Sequence, residues 1–211
     1  MNENDIVTIL EEIEQKDDFF RARGYDRVLD RKNIHSAYMY GRVLDAGIGD
    51  CHTIRELMQI QGISIVSVDV SSDAITRGRI IMEYFRSVQT EMSMSHFEFV
   101  QADLTSLPFS DSSFDCSVAV NTLHHIPKWQ VALGELLRVT NDRLVIQEFS
   151  TKGKHLIDKL MLEQSGELKH SHEFDGVSIR DILDTIVEMG EYGWSYEVQP
   201  GEMTDLLIIR K

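Results

Sequence analysis

The chain has 211 residues, of which 42% are hydrophobic and 27% charged, and its formal net charge is −14. This length and composition predict one globular domain over residues 1–211, and no apolar run is long enough to cross a membrane. Because a nucleic-acid partner needs a basic protein face, the scattered basic residues and the excess of acids disfavour DNA and RNA. Two cysteines without a CxxC spacing, and an acidic N-terminus unlike a signal peptide, lead us to expect a cytoplasmic protein without a disulfide framework.

The first forty residues predict two helices. Over residues 5–20, Ile6, Ile9, Leu10 and Ile13 recur with helical spacing and leave the acids on the other face. A second helix is predicted over about 26–39.

From residue 42 the pattern changes to apolar strands that alternate with helices. The strands are predicted at 42–46, 63–69, 97–100, 114–120 and 143–148, and the helices between them at about 53–61, 72–89 and 127–139. This alternation is typical of a doubly wound α/β fold, in which helices cover both faces of a parallel sheet.

The end of the chain departs from this alternation. After an irregular segment at about 164–177, a helix over about 178–189 precedes two strands at 194–198 and 205–209. The connection between these strands contains the turn-forming pair Pro200-Gly201 and is too short for a parallel crossover. We therefore predict an antiparallel C-terminal hairpin that completes a seven-stranded, mostly parallel sheet.

The turn after the first strand carries the strongest functional signal. It reads Asp45-Ala46-Gly47-Ile48-Gly49 and leads into a predicted helix. Glycine permits a tight turn and a close approach of a ligand to the backbone, and a helix start presents backbone N–H groups. The pattern predicts a binding turn for a nucleotide-like ligand, and the acid at Asp45 favours a cationic ligand over a phosphate.

Three further polar segments follow later strands. Asp69 closes the second strand, Asp103 follows the third, and Asn121 follows the fourth. Ligands of open parallel sheets bind beyond these carboxyl ends, where an acid such as Asp69 can accept hydrogen bonds from ribose hydroxyls. Taken singly, Asp69 is equally explained as a helix cap and Asp103 as the closure of a short turn.

Together these segments resemble the class I S-adenosylmethionine-dependent methyltransferases of the small-molecule type. The resemblance covers about 40–150 by motif and 178–211 by strand pattern, and it implies a Rossmann-like three-layer sandwich with S-adenosylmethionine as cofactor. In such a protein the cofactor-binding residues correspond to Asp45, Gly47 and Gly49 at the methionine end, Asp69 at the ribose, Val70 directly after it, Asp103 and Leu104 at the adenine, and Asn121 near the sulfur.

The chain departs from the family pattern at Asp50-Cys51, where many relatives have a third glycine in place of Cys51. This departure concerns the shape of the cofactor pocket, and we expect Cys51 to be a small packing residue. The resemblance does not interpret residues 1–40 or 150–177. We expect the former to be an N-terminal helical lid and the latter an insertion on the substrate side.

The function that follows from the resemblance is transfer of a methyl group to a small-molecule acceptor. Nucleobase N-methylation is disfavoured because the Asp/Asn-Pro-Pro-Tyr segment is absent and Asn121-Thr122-Leu123-His124 stands in its place. One alternative is a protein that binds S-adenosylmethionine without transferring its methyl group and acts as a partner or regulatory subunit. A nicotinamide-dependent oxidoreductase is disfavoured because His52 occupies the position of the third glycine of a Gly-x-Gly-x-x-Gly turn.

The sequence identifies no catalytic residue. His124 and His125 are candidates for a general base, although a role as helix cap or loop residue explains them as well. His170 and His172, beside Glu173 and Asp175, have a spacing that could bind a metal, but we expect solvated loop residues and no metal site. The sequence leaves the oligomeric state open.

Overall fold

Seven strands and six helices are formed by the residues that the computed structural model describes, which are 3–27, 37–88, 96–165, 177–190 and 193–211. The strands are β1 (Arg42–Ala46), β2 (Ser64–Asp69), β3 (His96–Gln101), β4 (Phe114–Val120), β5 (Thr140–Phe149), β6 (Ser195–Gln199) and β7 (Thr204–Arg210). The helices are α1 (Glu3–Arg21), α2 (His52–Leu57), α3 (Ser72–Val88), α4 (Trp129–Val139), α5 (Thr151–Ser165) and α6 (Ile179–Glu188), and a single 3₁₀ turn covers Leu123–His125.

The strands form one sheet in the order β3-β2-β1-β4-β5-β7-β6. The first five of these are mutually parallel, while β7 runs antiparallel to both β5 and β6. The structure confirms the predicted α/β fold, including the hairpin, whose connection spans only residues 200–203. The strand order reverses between β1 and β4, which places a crevice at the carboxyl ends of these two strands.

Apolar side chains cover both faces of the sheet. On one face, α4 and α6 pack against alternate residues such as Leu44 and Val66. On the other face lie Val43 and Ile65, and α2 and α3 cover the neighbouring end of the sheet around Phe99. Because each fully buried Leu or Ile side chain contributes roughly 1.5–3 kcal/mol, these two layers supply the main driving force for folding.

Helix α5 is an element that the sequence patterns did not predict. Ser150 directly precedes it, and the side chain of Ser150 accepts a hydrogen bond from the backbone N–H of Gly153 at 3.1 Å. Its apolar residues Ile157 and Leu160 pack with Phe20 and Tyr25 from the N-terminal region. The expected insertion at 150–177 therefore begins as a helix that contacts the N-terminal region.

Smaller differences concern element ends and the part of the chain outside the described residues. Helix α2 ends at Leu57 rather than near residue 61, and β5 spans Thr140–Phe149 rather than 143–148. Most of the predicted helix at 26–39 and of the irregular segment at 164–177 lies outside the described residues. None of the described helices is both long and apolar enough to cross a membrane.

Gly153 allows α5 to lie directly against the backbone that precedes β7. A methyl group at Gly153 would overlap the carbonyl oxygen of Met203, whereas a methyl at Gly134 in α4 would meet only the side chain of Met189 at 3.8 Å. We expect Gly153→Ala to lower the free energy of unfolding by about 1–3 kcal/mol, because the helix must shift. The matched control Gly134→Ala should leave it unchanged or raise it by up to about 1 kcal/mol, because alanine favours helix.

Urea unfolding followed by circular dichroism measures both variants. Equal effects of the two substitutions would contradict the close approach of α5 to Met203.

Candidate functional site

A cavity of about 720 Å³ opens at the carboxyl ends of β1, β2 and β4. Its volume falls within the range of about 300–1,000 Å³ that is common for small-molecule sites. Seven of the eight predicted cofactor-binding residues line it, and these are Gly47, Gly49, Asp69, Val70, Asp103, Leu104 and Asn121. Asp45 lies outside the lining, within the sheet.

The turn between β1 and α2 is held in a conformation that glycine favours. Gly47 has a φ of +92°, and its N–H donates to the carbonyl of Val68 at 2.8 Å. A Cβ at Gly47 would lie 2.6 Å from the side chain of Thr122, whose hydroxyl also donates to the carbonyl of Ala46 at 3.1 Å. Glycine is therefore needed at this position both for the backbone angle and for the close contact between the ends of β1 and β4.

Cys51 occupies a left-handed position at the start of α2, with a φ of 63°. This conformation explains why a glycine suits the position, because a side chain there costs roughly 1–2 kcal/mol. The thiol is fully buried among apolar residues of α2 and α3. Burial, with a further contribution from the charge of Asp45, raises the pKa of Cys51 to about 12, so the thiol packs as a neutral group.

Asp45 is a buried acid in the middle of the sheet. The hydroxyl of Ser67 donates to its carboxylate at 2.9 Å. Burial raises the pKa of Asp45 to about 7, the hydrogen bond from Ser67 opposes this effect, and the charge of Asp69 adds to it. The carboxyl therefore acts on a ligand in the cavity only through its field or through the turn above it.

Asp69 connects the end of β2 to the glycine turn. One carboxylate oxygen accepts from the N–H of Gly49 at 3.2 Å and the other from the N–H of Ser71 at 2.9 Å. The cap of α3 is Ser71, whose hydroxyl accepts from the N–H of Ala74 at 3.3 Å. The carboxylate of Asp69 is therefore fixed at the cavity wall, next to the largely exposed side chain of Val70.

Asp103 closes a short turn and also lines the cavity. Its Oδ1 accepts from the backbone N–H and the hydroxyl of Thr105, each at 2.8 Å, and the backbone bond followed by the hydroxyl bond lowers the pKa of Asp103. Within the described part of the chain no hydrogen bond falls on its Oδ2. Although Oδ1 closes the turn, Oδ2 can therefore still accept a hydrogen bond from a ligand. The buried side chain of Leu104 lines the cavity next to it in sequence.

Asn121 has the strongest features of a ligand-binding side chain in the cavity. It directly follows β4 with a φ of 50°, and its side chain lines the cavity. Among the described residues, neither Nδ2 nor Oδ1 has a hydrogen-bond partner, although both atoms are buried. An unpaired buried amide costs about 1–3 kcal/mol, so we expect the ligand to supply its partners.

His124 and His125 follow in the 3₁₀ turn. Nδ1 of His124 lies 2.6 Å from Oε2 of Glu148, a fully buried carboxylate at the end of β5. The ring of His125 is exposed and lies 4.0 Å from the ring of His124, centroid to centroid. Both histidines line the cavity, whereas Glu148 is a residue that the sequence patterns did not single out.

A group of charged residues links the N-terminal region to the glycine turn. Asp50 pairs with Lys16 at 2.7 Å and with Arg27 at 2.5 Å. Burial alone would raise the pKa of Asp50, but the charges of Arg27 and Lys16 outweigh it and hold this pKa well below its usual range. Asp17 joins the group through Arg27 at 3.5 Å and also lies 3.1 Å from Nε2 of His52. The acid that departs from the family pattern is therefore neutralised by two cations that also line the cavity.

Another part of the cavity lining is mainly apolar and adjoins this charged group, since the guanidinium of Arg27 lies 5.2 Å from the centre of the Phe20 ring. Phe20 and Tyr25 pack edge to face at 6.2 Å, and Tyr25 packs in the same way on Phe149 at 6.0 Å. Ile157 of α5 completes this wall. The described residues contain no group of three or more side chains suited to a metal ion, and the histidine-rich segment at 170–175 lies outside them.

Comparison with known proteins agrees with this geometry. Residues 44–143 match the model of a methyltransferase domain family. A demethylmenaquinone methyltransferase of Beutenbergia cavernae is 32% identical over 132 residues, which are 61% of this chain and 50% of that protein. A sterol 24-C-methyltransferase of Gibberella zeae is 27% identical over 126 residues, which are 57% of this chain and 32% of that protein.

Solved structures show the same fold. A Methanococcus maripaludis protein assigned as an S-adenosyl-L-methionine-dependent methyltransferase aligns with a TM-score of 0.67 and 18% identity, over 100% of this chain and 95% of that one. Residues 44–143 therefore form a methyltransferase domain, and the chain has the Rossmann-like fold of the class I methyltransferases, whose cofactor is S-adenosylmethionine. The chain spans about a third to a half of the length of the curated relatives compared above.

The ion pairs of Asp50 predict a specific loss of stability. We expect Asp50→Asn to lower the free energy of unfolding by about 2 kcal/mol at pH 7, because two partly buried cations lose their counter-charge. The lowered pKa means that this stabilisation is present above the unfolded value of about 4 and is lost as the pH falls below it. Urea unfolding measures this effect. The difference in the free energy of unfolding between wild type and Asp50→Asn should be constant from pH 8 downwards and should become smaller only near pH 4.

The control is Asp18→Asn, which removes an exposed ion pair with Arg21 and should change stability by less than about 0.5 kcal/mol. A loss of equal size in both variants would argue against a special role of Asp50.

The raised pKa of Asp45 predicts that its contribution to the free energy of unfolding falls as the pH rises, which is the opposite of the effect at Asp50. Between pH 5 and pH 7 the folded protein retains a proton that the unfolded chain has released. The contribution of Asp45 to the free energy of unfolding should therefore fall by roughly 2 kcal/mol as the pH rises across this window. Asp45→Asn, which keeps the size of the side chain, should remove this pH dependence. If the difference in the free energy of unfolding between wild type and Asp45→Asn does not change with pH, the pKa of Asp45 is not raised in the folded protein.

Proposed function

We propose that this chain transfers a methyl group from S-adenosylmethionine to a small, mainly apolar acceptor molecule. The observation that carries the proposal is the mixed lining of the cavity. Its polar side has carboxylates fixed at the ends of parallel strands, its apolar side has aromatic and aliphatic side chains, and the amide of Asn121, which has no partner among the described residues, also lines it.

The polar side of the cavity suits the cofactor. We assign Gly47 and Gly49 to the methionine end, with Asp45 behind them. Asp69 has lone pairs to accept hydrogen bonds from the ribose hydroxyls. When bound, S-adenosylmethionine supplies an electrophilic methyl group on a positively charged sulfur, and a nearby excess of negative charge favours a cation of this kind.

The adenine would lie farther along the same wall. We assign Val70 and Leu104 to the apolar surface against the ring, and Oδ2 of Asp103 to accept from its amino group. Asn121 would hold the end of the cofactor that faces the acceptor. Each of these assignments rests on the position of the residue in the cavity wall together with the family resemblance.

The apolar side suits the acceptor. Its wall is formed by Phe20 and Tyr25 from the proposed N-terminal lid, 1–40, by Ile157 from the proposed substrate-side insertion, 150–177, and by Phe149 at the end of β5. The names of the two curated relatives refer to a menaquinone precursor and a sterol, which are both apolar. By holding the acceptor in line and excluding water, these walls would supply much of the rate acceleration.

Binding of the cofactor tests the polar side. We expect wild-type protein to bind S-adenosylhomocysteine with one-to-one stoichiometry in isothermal titration calorimetry, and Asp69→Ala to weaken this binding at least tenfold, because two ribose hydroxyls lose their acceptor. Asp69→Asn should have an intermediate effect. Asp184→Ala, which removes an exposed acid on α6, is the control and should bind like wild type. An unchanged affinity of Asp69→Ala would remove Asp69 from the site.

Transfer is tested with the methyl-labelled cofactor. Wild-type protein, labelled S-adenosylmethionine and a fractionated cell extract should give label in an organic-soluble small-molecule fraction. Label in protein or nucleic acid would contradict the proposed acceptor class. Tight cofactor binding without label in any fraction would instead favour a cofactor-binding partner or regulatory subunit.

A further inference from the structure

Glu148 is a buried acid that cofactor binding does not explain. It is the last residue but one of β5 and is 0% exposed. Its Oε1 accepts hydrogen bonds from the backbone N–H groups of Thr122 at 3.1 Å and Leu123 at 2.8 Å. Its Oε2 lies 2.6 Å from Nδ1 of His124. Burying a carboxylate is costly unless donors surround it, and here three donors converge on its two oxygens.

These contacts determine which nitrogen of His124 carries a proton. A carboxylate can only accept hydrogen bonds, so Nδ1 must be the donor in the contact with Glu148. In the neutral imidazole the other nitrogen, Nε2, is then the acceptor. Glu148 thereby selects the tautomer in which His124 can take up a proton at Nε2.

The same carboxylate fixes where the ring lies. Through Thr122 and Leu123 it holds the backbone of the 3₁₀ turn, and through Nδ1 it holds the imidazole. The ring of His124 packs on His125 from its own turn and, with centroids 5.4 Å apart, on Phe149 from the end of β5. The side chain therefore stands in the cavity wall next to the aromatic surface that we assign to the acceptor.

We propose that Glu148 is a positioning residue that makes His124 the proton acceptor of the transfer reaction, and that the methyl acceptor is therefore a molecule whose nucleophilic atom carries a proton, such as a phenol or an enol. This proposal rests on the proposed function. Thioethers and tertiary amines, which have no proton to lose, are excluded as the natural acceptor.

With an O–H acceptor, one bond to the methyl carbon forms while another breaks, and one proton moves to the protein. The oxygen forms the new bond to the methyl carbon, and the electron pair of the broken sulfur–carbon bond goes to sulfur. The O–H proton moves to Nε2 of His124, which gives an imidazolium ion stabilised by the carboxylate of Glu148. Release of that proton to water restores the starting state.

The tautomer can be measured without any acceptor. In protein labelled with ¹⁵N-histidine and bound to S-adenosylhomocysteine, long-range ¹H–¹⁵N spectra should show His124 with a protonated Nδ1 and an unprotonated Nε2. Glu148→Gln should invert this pattern. The backbone N–H groups of Thr122 and Leu123 require an acceptor, so the amide oxygen must face them and the NH₂ group must face His124. Nδ1 then has to accept, and the proton moves to Nε2.

Asp184→Asn is the matched carboxylate-to-amide control and should leave the His124 signals as in wild type. A wild-type His124 with its proton on Nε2, or no change of tautomer in Glu148→Gln, would overturn the proposal. If Glu148→Gln does not fold, the wild-type spectrum still decides which nitrogen carries the proton.

Turnover separates this role from simple bracing of the loop. With the acceptor fraction found by label transfer, Glu148→Gln and His124→Gln should each lower kcat at least about 100-fold, which is the lower end for loss of a general base. The KM for S-adenosylmethionine should stay within threefold of wild type, and Asp184→Asn should keep wild-type kcat. A purely structural role would instead raise KM or leave kcat near wild type. If wild-type protein transfers no label at all, the proposed function fails, and the tautomer measurement still tests the position of His124.

Discussion

The contact between the end of β1 and the end of β4 is the constraint on which the site depends. Gly47 has no side chain, and Thr122 fills the space that a Cβ would need while its hydroxyl binds the carbonyl of Ala46. Because the strand order reverses between these two strands, the chain leaves the sheet in opposite directions on either side of this contact. The crevice that results brings the glycine turn to one side and the 121–125 turn to the other.

Charge pairing across the chain completes this arrangement. Asp50 lies in the glycine turn, and the two cations that neutralise it, Lys16 and Arg27, come from the N-terminal region. The position of that region over the cavity therefore depends on a residue at which the chain departs from the family pattern. Cys51 follows Asp50 and replaces the glycine of the family pattern. It adopts a left-handed backbone angle that a glycine would adopt without strain.

The sequence predicts the fold and most of the polar side of the cavity because both depend on local patterns. Continuous apolar strands separated by helices determine a parallel sheet, and Asp69, Asp103 and Asn121 are recognisable because each directly follows a strand. The sequence does not reveal Glu148 as a site residue. An acid at the end of β5 looks like a solvated strand end, and acids are almost never fully buried.

The remaining unpredicted features also depend on contacts between distant parts of the chain. The ion pair between Lys16 and Asp50 joins residues 34 positions apart, and no local periodicity encodes it. Helix α5 has local signals in the cap at Ser150 and in apolar residues such as Leu156 and Leu160, but where it docks depends on the contact of Gly153 with the backbone of Met203. Such close approaches become visible only when the tertiary structure is known.

The two fully buried acids at this end of the sheet show how surroundings divide their roles. Within the described residues Asp45 accepts from a single hydroxyl, and burial raises its pKa to about 7, so it loses its charge readily when no cation is near. Glu148 accepts from three donors of the same part of the chain, two of them backbone N–H groups that cannot move away. A cationic ligand would favour the ionised form of Asp45, whereas the contacts that hold Glu148 and His124 together are made by the fold itself and need no ligand.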